Sequence, residues 1–565
     1  MKNSKKMLQY ILILALLAYV VKNIFVGTDN DEAYGIVVGF RLAMGEKLFL
    51  EMWEPHQTSA IFTAAFIKPF LLISGGVDYL NIYLRVVFFA IHGLVSYGVY
   101  YTFKKLNFGV GKEGAKWLSV IYFVSSPKCI YIPEYSNLHI WFFTLLCLSL
   151  MWYSCVESPF LGKTAALAMS GFFLTCDVLA YPSMVILFPV CIIYLCMAHK
   201  GKLWKDILKF SVPCLVGVVL LIGYVLSYMT VGQLVEVIPH VMGDGSHDVP
   251  VAEKFFDVFT SCGEMVIILA AASVISVLLV AIYCLWKRKR EITKEIKAGF
   301  VLLTFGILSV HQIYCYFTSA FNASFPHVIY LYVCLVGICF YFGMERGNKR
   351  GLFLIAYSFV NYIGIILLSN WEPIHLMPYL IVGVLGGFMY WKSYLAECFQ
   401  LGEKIFRVAC GAIVFTNIWG YCYLIIGGAE THSSIFEVGG YCREGVRAGI
   451  FAEYMTAYIY NANQELWSEA IPAGSSVMYV GKTQTFYMQG NCVIAAASTI
   501  STPTYNENVL QYWELNPDRY PDVVVVECLY DNIIVGEDNY MMRWLEEEFQ
   551  ASEVVHYPYI MVYKK

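Results

Sequence analysis

Apolar runs follow one another along most of the chain, separated by short polar stretches. The first covers 7–26, behind "MKNSKK". Later ones lie near 82–103, 115–127, 139–155, 164–178, 180–198, 208–229, 263–286, 298–318, 325–343, 351–369, 374–391 and 405–427. A run of roughly 20 apolar residues is what a helix needs to cross hydrocarbon, so the pattern predicts about thirteen spans. No small-residue cleavage site follows the first run, which therefore reads as an uncleaved helix and not a signal peptide. The stretch 58–76, "TSAIFTAAFIKPFLLISGG", stands apart: it is short, interrupted by Lys68-Pro69, and ends in Gly-Gly. From about residue 428 the pattern changes. Short apolar segments at 476–481, 522–527 and 559–565 alternate with the helix-like "REGVRAGIFAEYMTAYIYNANQELW" and "NYMMRWLEEEF". That alternation predicts a small α/β domain.

Charge orders the spans. If 58–76 lies along the surface, the basic stretches at 104–105, 199–205, 286–291, 345–350 and 403–407 all share the amino-terminal side. The loops poor in Lys and Arg then face the other way, the asymmetry expected when the basic side is cytoplasmic. The expected architecture is a polytopic α-helical membrane protein. Residues 1–427 form the transmembrane part, with 28–81 as an outer loop holding surface-lying helices, and 428–565 form an extracytoplasmic α/β domain.

Composition agrees. Of 565 residues, 59% are hydrophobic and 14% charged, too apolar for an ordinary soluble domain. Aromatic residues, at 16%, suit a chain with many membrane–water boundaries. A net charge of −4 gives no footprint for nucleic acid, and the 18 cysteines are mostly scattered through apolar runs with no metal or disulfide spacing.

The chemistry concentrates just after the first span, in "GTDNDEAYGIVVGFRLAMGEKLFLEMWEP". Asp29, Asp31 and Glu32 lie within four positions of each other at the lipid edge. Carboxylates there need water, a cation or a reaction to justify them. The plainer reading is an acidic cap on a helix beginning near Asp31.

The order of features resembles the GT-C membrane glycosyltransferases, in particular the branch of protein O-mannosyltransferases and lipid A aminoarabinose transferases. The elements are "DEAY" (Asp31–Tyr34) after the first span, "AMGEKL" about a dozen residues on, "WEPHQTSAIF" before the surface-lying helix, and Arg85 in "YLRVVFF". By motif the likeness covers the first 200 or so residues, and beyond them only hydropathy and topology. It implies transfer of a sugar from a polyprenyl-phosphate carrier to a glycan, lipid or protein acceptor on the outer face, by inversion, with membrane lipids as the surroundings and no cofactor or metal. A carboxylate would take the acceptor's proton, and cations would meet the departing phosphate.

On that likeness Asp31 is the candidate base, Asp29 its rival, and Glu32 an orienting or hydroxyl-binding acid. Tyr34 belongs to the same element. Arg85 and Lys68 are candidates for the phosphate, against the plainer reading of interfacial cations reaching headgroups. His56 is a further contact candidate. In the second outer loop, where relatives often carry an Asp, this chain has Glu134 and Asn137 with His139 close by. Asp177, in "TCDVLAYPS", is a buried-acid candidate or a turn acid. His240, Asp244, His247 and Asp248 in "HVMGDGSHDVP" match no metal spacing and read as a mobile loop that closes over the donor. A different class stays open: a transporter, flippase or polymerase of lipid-linked glycans. Transporters tend to show internal repeats and paired broken helices at the membrane midplane; no such repeat is found here, and the acids cluster at one surface.

Overall fold

The computed structural model describes residues 2–565 apart from 107–108, 128–129, 156–159, 199–202, 243–250, 290, 319–326, 345–348, 369–371, 427–431, 482, 491, 500–507, 530–531 and 534–539. The Asp244, His247 and Asp248 loop therefore lies outside the described residues. The amino-terminal part is helical: α1 (Lys2–Phe25), α2 (Asn30–Met44), α3 (Ala60–Ser74), α4 (Leu80–Lys105), α5 (Gly111–Phe123), α6 (Tyr135–Cys155), α7 (Phe160–Ala180) and α8 (Leu187–Ala198). It continues with α9 (Leu203–Leu226), α10 (Val231–Met242), α11 (Val251–Trp286), α12 (Lys294–Thr318), α13 (Val328–Gly343), α14 (Lys349–Leu368), α15 (Ile381–Cys398) and α16 (Gly402–Tyr423). Among the described residues, ten helical stretches are long and apolar enough to cross a membrane, and three further apolar helices are shorter. The chain is a multi-pass membrane protein.

By length and composition Gln57–Ser74 is among those ten, and its neighbours place it beside the junction of α1 and α4. Arg85, in the second turn of α4, donates to the carbonyls of Ile24 (3.2 Å) and Gly27 (2.8 Å). The chain therefore leaves and re-enters the bundle at one end. The carboxy-terminal region meets this excursion throughout: the Gly27 N–H donates to Phe451 O (2.8 Å), Trp53 to Ala497 O (2.8 Å) and Tyr79 to Gly445 O (3.3 Å). Helices α2 and α3 thus lie at the end that carries the carboxy-terminal region. The opposite end gathers the basic turns, where Lys392 donates to Val110 O (2.7 Å) and Arg350 reaches Leu106 O (3.5 Å).

Helix α2 is seated by two glycines four residues apart. A Cβ on Gly35 would lie 2.8 Å from Glu134 Cβ, and one on Gly39 would lie 2.7 Å from Thr63 Cγ2. Only hydrogen at these positions lets α2 lie on the 130s loop and on α3. Helix α2 stops at Gly45, whose φ of 103° suits glycine at a helix end.

The carboxy-terminal region holds a mixed sheet. Its strands run in the order Val493–Ile494, Ser476–Val480, Val523–Leu529, Ile560–Lys564 and Glu553–His556, the first three parallel and the rest antiparallel. Helices Tyr454–Ala470 and Asn508–Leu515 accompany it. The three predicted strands are present. The helix expected from 443 begins only at Tyr454, because Gly445 (φ 71°) and Gly449 (φ 84°) turn the chain into a compact loop closed by Cys442 and Ile450.

Candidate functional site at the end of the first helix

Helix α2 begins on an acid. Asp29 is its N-cap, and its Oδ1 accepts from the backbone N–H groups of Asp31 (2.8 Å) and Glu32 (3.2 Å). Among the described residues no hydrogen bond reaches Oδ2. Asp31 follows in the first turn, half-buried. Glu32, 1% exposed, turns inward and receives the Arg85 fork, at 2.8 Å from Nε and 2.6 Å from NH2, with Asn81 Nδ2 at 3.1 Å. Arg85 therefore ties three segments together: the end of α1, the start of α2 and the first turns of α4.

Beside this pair lies a cavity lined by Lys22, Asn23, Val26, Gly27, Thr28, Asp29, Glu32, Arg85, Tyr131, Tyr421 and Leu424. Its free room is about 20 Å³, enough for one or two water-sized groups. The Lys22 ammonium donates to Leu424 O and, at 3.1 Å, to Asn23 Oδ1. That contact fixes the Asn23 amide so that its buried Nδ2 is the atom left without a partner.

The Asp29 carboxyl is pushed up to about 7. Burial is the main cause, followed by repulsion from Asp31 and then Glu32; the two backbone N–H groups it caps pull the other way. A buried acid poised near neutral pH, with one oxygen uncommitted and facing a small cavity, can accept a proton. Asp31 does not line this cavity.

Tyr34, His56, Lys68, Glu134, Asn137, His139 and Asp177 do not line it either. Tyr34 packs in an apolar cluster with Val38, Leu48, Met52 and Ala60. Lys68 is exposed on α3. Glu134 caps α6, accepting from the N–H groups of Ser136 and Asn137, both at 2.9 Å. Asn137 clamps the preceding loop by donating to Ile130 O and Ile132 O, both at 2.9 Å. His139 and Asp177 form a separate buried pair, Nδ1 to Oδ1 at 2.7 Å, with neither side chain exposed. Near them His56 stacks on Tyr135, ring centroids 4.1 Å apart, and tilts against Tyr181 at 4.9 Å. His240 stacks on Trp53 at 5.3 Å and so belongs to the seam with the carboxy-terminal region. Among the described residues no three His, Cys, Asp or Glu side chains gather as a metal set.

Lys22 and Asn23 escape a reading from sequence because they sit inside an apolar run, where a basic residue near a span's end reads as a headgroup contact. Arg41 escapes it too. It is fully buried in α2 and bound to Glu46 (2.6 Å) and Glu54 (2.9 Å), and it donates to the carbonyls of Glu51, Ala496 and Ala497.

No protein-family model matches the chain, and no curated protein matches it. Among solved structures it is similar to an oligosaccharyltransferase from Archaeoglobus fulgidus in complex with Zn and sulfate, at 10% identity over 92% of this chain and 68% of that one, with a TM-score of 0.47. It is also similar to ArnT from Cupriavidus metallidurans bound to undecaprenyl phosphate, at 10% identity over 99% of this chain and 98% of that one, also with a TM-score of 0.47.

Proposed function

We propose that the protein is a membrane glycosyltransferase of the GT-C kind, moving a sugar from a polyprenyl-phosphate carrier to an acceptor on the face that holds the carboxy-terminal region, the outer face by the distribution of Lys and Arg. The observation that carries this reading is Asp29: a carboxyl near 7, buried, with an unpartnered oxygen beside a cavity. Asp29 is the general base. Asp31, which the sequence motif favours, acts on it through charge, helping to hold its proton affinity near the working pH. The room beside Asp29 fits an acceptor hydroxyl and not a whole sugar, so the sugar approaches from the cavity mouth. Loss of the acceptor's proton as the carbon–oxygen bond forms, with the phosphate leaving from the opposite side, inverts the anomeric centre.

The test is transfer of labelled sugar from polyprenyl-phosphate donors in proteoliposomes. Asp29→Asn keeps the helix cap, since Asn caps as well as Asp, and removes the base. Abolished transfer with a normal fold supports the reading. Full activity in Asp29→Asn with loss in Asp31→Asn moves the base to Asp31. Full activity in both reduces the acids to a cap.

A further inference from the structure

Asn23 stands in the last turn of α1, 2% exposed, and lines the same cavity as Asp29. The Lys22 ammonium takes its Oδ1 at 3.1 Å, and no hydrogen bond reaches its buried Nδ2. Two N–H donors buried without an acceptor are unfavourable unless something enters to supply one. The cavity that Asn23 lines is where such a group can stand. The cations around it and Tyr421 are engaged elsewhere. Arg85 holds Glu32 and the carbonyls of Ile24 and Gly27, and Lys22 holds Leu424 O as well as Asn23. Tyr421 Oη meets Ser126 O and His327 Nε2, both at 3.2 Å. Asn23 Nδ2 and Asp29 Oδ2 keep their capacity, the one to give a hydrogen bond and the other to accept one.

That pairing restricts the occupant. A group shared by the two must accept from an N–H and donate to a carboxylate. A hydroxyl does both through one oxygen. A carboxamide nitrogen has no lone pair to offer, and a thiol sulfur is a weak acceptor. A phosphate group, with four oxygens, exceeds the room of about 20 Å³. It would also set negative charge against Asp29, which Asp31 and Glu32 already repel.

We propose that Asn23 is a substrate-binding residue that donates to the acceptor's hydroxyl oxygen and so selects an alcohol as acceptor, an inference that rests on the glycosyltransferase reading. The alcohol oxygen gives its proton toward Asp29 Oδ2 and takes the Asn23 N–H on one lone pair. Its second lone pair is left for the anomeric carbon, so the two contacts together aim the attack. As that pair forms the carbon–oxygen bond, the hydroxyl proton passes to Asp29. The phosphate leaves with the electron pair of the bond that breaks.

The experiment uses the full chain in proteoliposomes with labelled polyprenyl-phosphate sugars. Octanol, octanethiol, octanamide and octyl phosphate serve as separate acceptor probes on one tail, and release of sugar to water is recorded in each. Wild type is expected to favour octanol. Asn23→Leu is expected to lower kcat/KM for octanol about tenfold, with the KM for the donor unchanged. Transfer to octanethiol should fall less, so that the alcohol-to-thiol ratio drops. Asn23→Ser, which keeps a shorter donor, should lie between. Should sugar pass only to water, itself a hydroxyl of the right size, the same tenfold loss is read on hydrolysis. Octanamide or octyl phosphate preferred by wild type overturns the alcohol as acceptor. An unchanged kcat/KM for octanol in Asn23→Leu overturns the contact. An equal loss on octanol and octanethiol, or a loss carried by the donor KM, reduces Asn23 to a structural residue and overturns it too. Should Asn23→Leu not fold, the ratio in Asn23→Ser decides: a value equal to wild type overturns the contact. These failures occur in an active enzyme and leave the glycosyltransferase reading standing. Wild type that turns over no donor with any probe or with water overturns that reading, and Asn23's role falls with it.

Discussion

Helix α2 carries a buried charge cluster at each end, and the two are built differently. At its carboxyl end Arg41 is matched by Glu46 and Glu54, and Glu54 is further held by Ser498 Oγ (2.6 Å) and the Thr499 N–H (2.7 Å). With Arg519, which reaches Glu46 (2.7 Å) and Glu51 (3.2 Å), each carboxylate there has a cationic partner. At its amino end Arg85 is matched by Glu32, and Asp29 is left over, with a free oxygen and a cavity beside it. Burial of charge is common to both ends, so burial alone does not mark chemistry. The unmatched acid does.

The sharpest way to break this contrast is to remove one charge from each end. Asp29→Asn is expected to lower transfer by roughly 10²–10⁴-fold, the usual contribution of a general base, with no loss of stability. A matching loss of Tm would turn the amino end into a second structural knot. Arg41→Met is expected to destabilise by about 3–5 kcal/mol in denaturant unfolding, because it leaves the buried Glu54 carboxylate without a cation, while Glu46 keeps Arg519 at 2.7 Å. If it unfolds like wild type, the carboxyl end is not the knot described here.

Arg85→Lys keeps the charge but loses the two-pronged contact with Glu32, and is expected to cost about 1–2 kcal/mol. Transfer should fall with it, because α1, α2 and α4 lose their shared anchor. Stability loss without any change in transfer would separate the pair from the site.

The smallest effect is in pH. The Asp29 carboxyl titrates near 7 when folded and near 3.8 as a free side chain, so the folded state binds the proton more tightly. Its contribution to stability is therefore present below pH 4 and fades as pH rises through 7. Wild-type Tm should drop between pH 5 and pH 8 more than that of Asp29→Asn, while transfer rises over the same interval as the base loses its proton. Parallel Tm curves would remove the shifted acid from the account.

Much of the bundle could be read beforehand because lipid enforces one rule, roughly 20 apolar residues per crossing. The charge asymmetry sets 58–76 apart from the other apolar runs, and the Arg85 contacts to Ile24 and Gly27 bring the end of α1 to the start of α4. The stretch 443–453 was misread as helix because its apolar spacing hides Gly445 and Gly449, whose left-handed backbone is fixed by contacts with residues 78–81 far away in sequence. Within the site, the acids after the first span were visible as a cluster. Which of them faces a cavity was not, because that depends on Lys22, Asn23, Tyr131, Tyr421 and Leu424 arriving from three separate segments. Glu134 and Asn137 read as substrate contacts in the sequence and stand as a helix cap and a loop clamp in the structure, roles that use the same side chains.

The glycines at 35 and 39 carry a last consequence. With the Glu134 side chain and Thr63 within 3 Å of where any methyl would stand, α2 has no slack in which to rock or slide. The acid at its tip is a stationary target. Whatever opens and shuts around the reactants during turnover must be built from other parts of the chain.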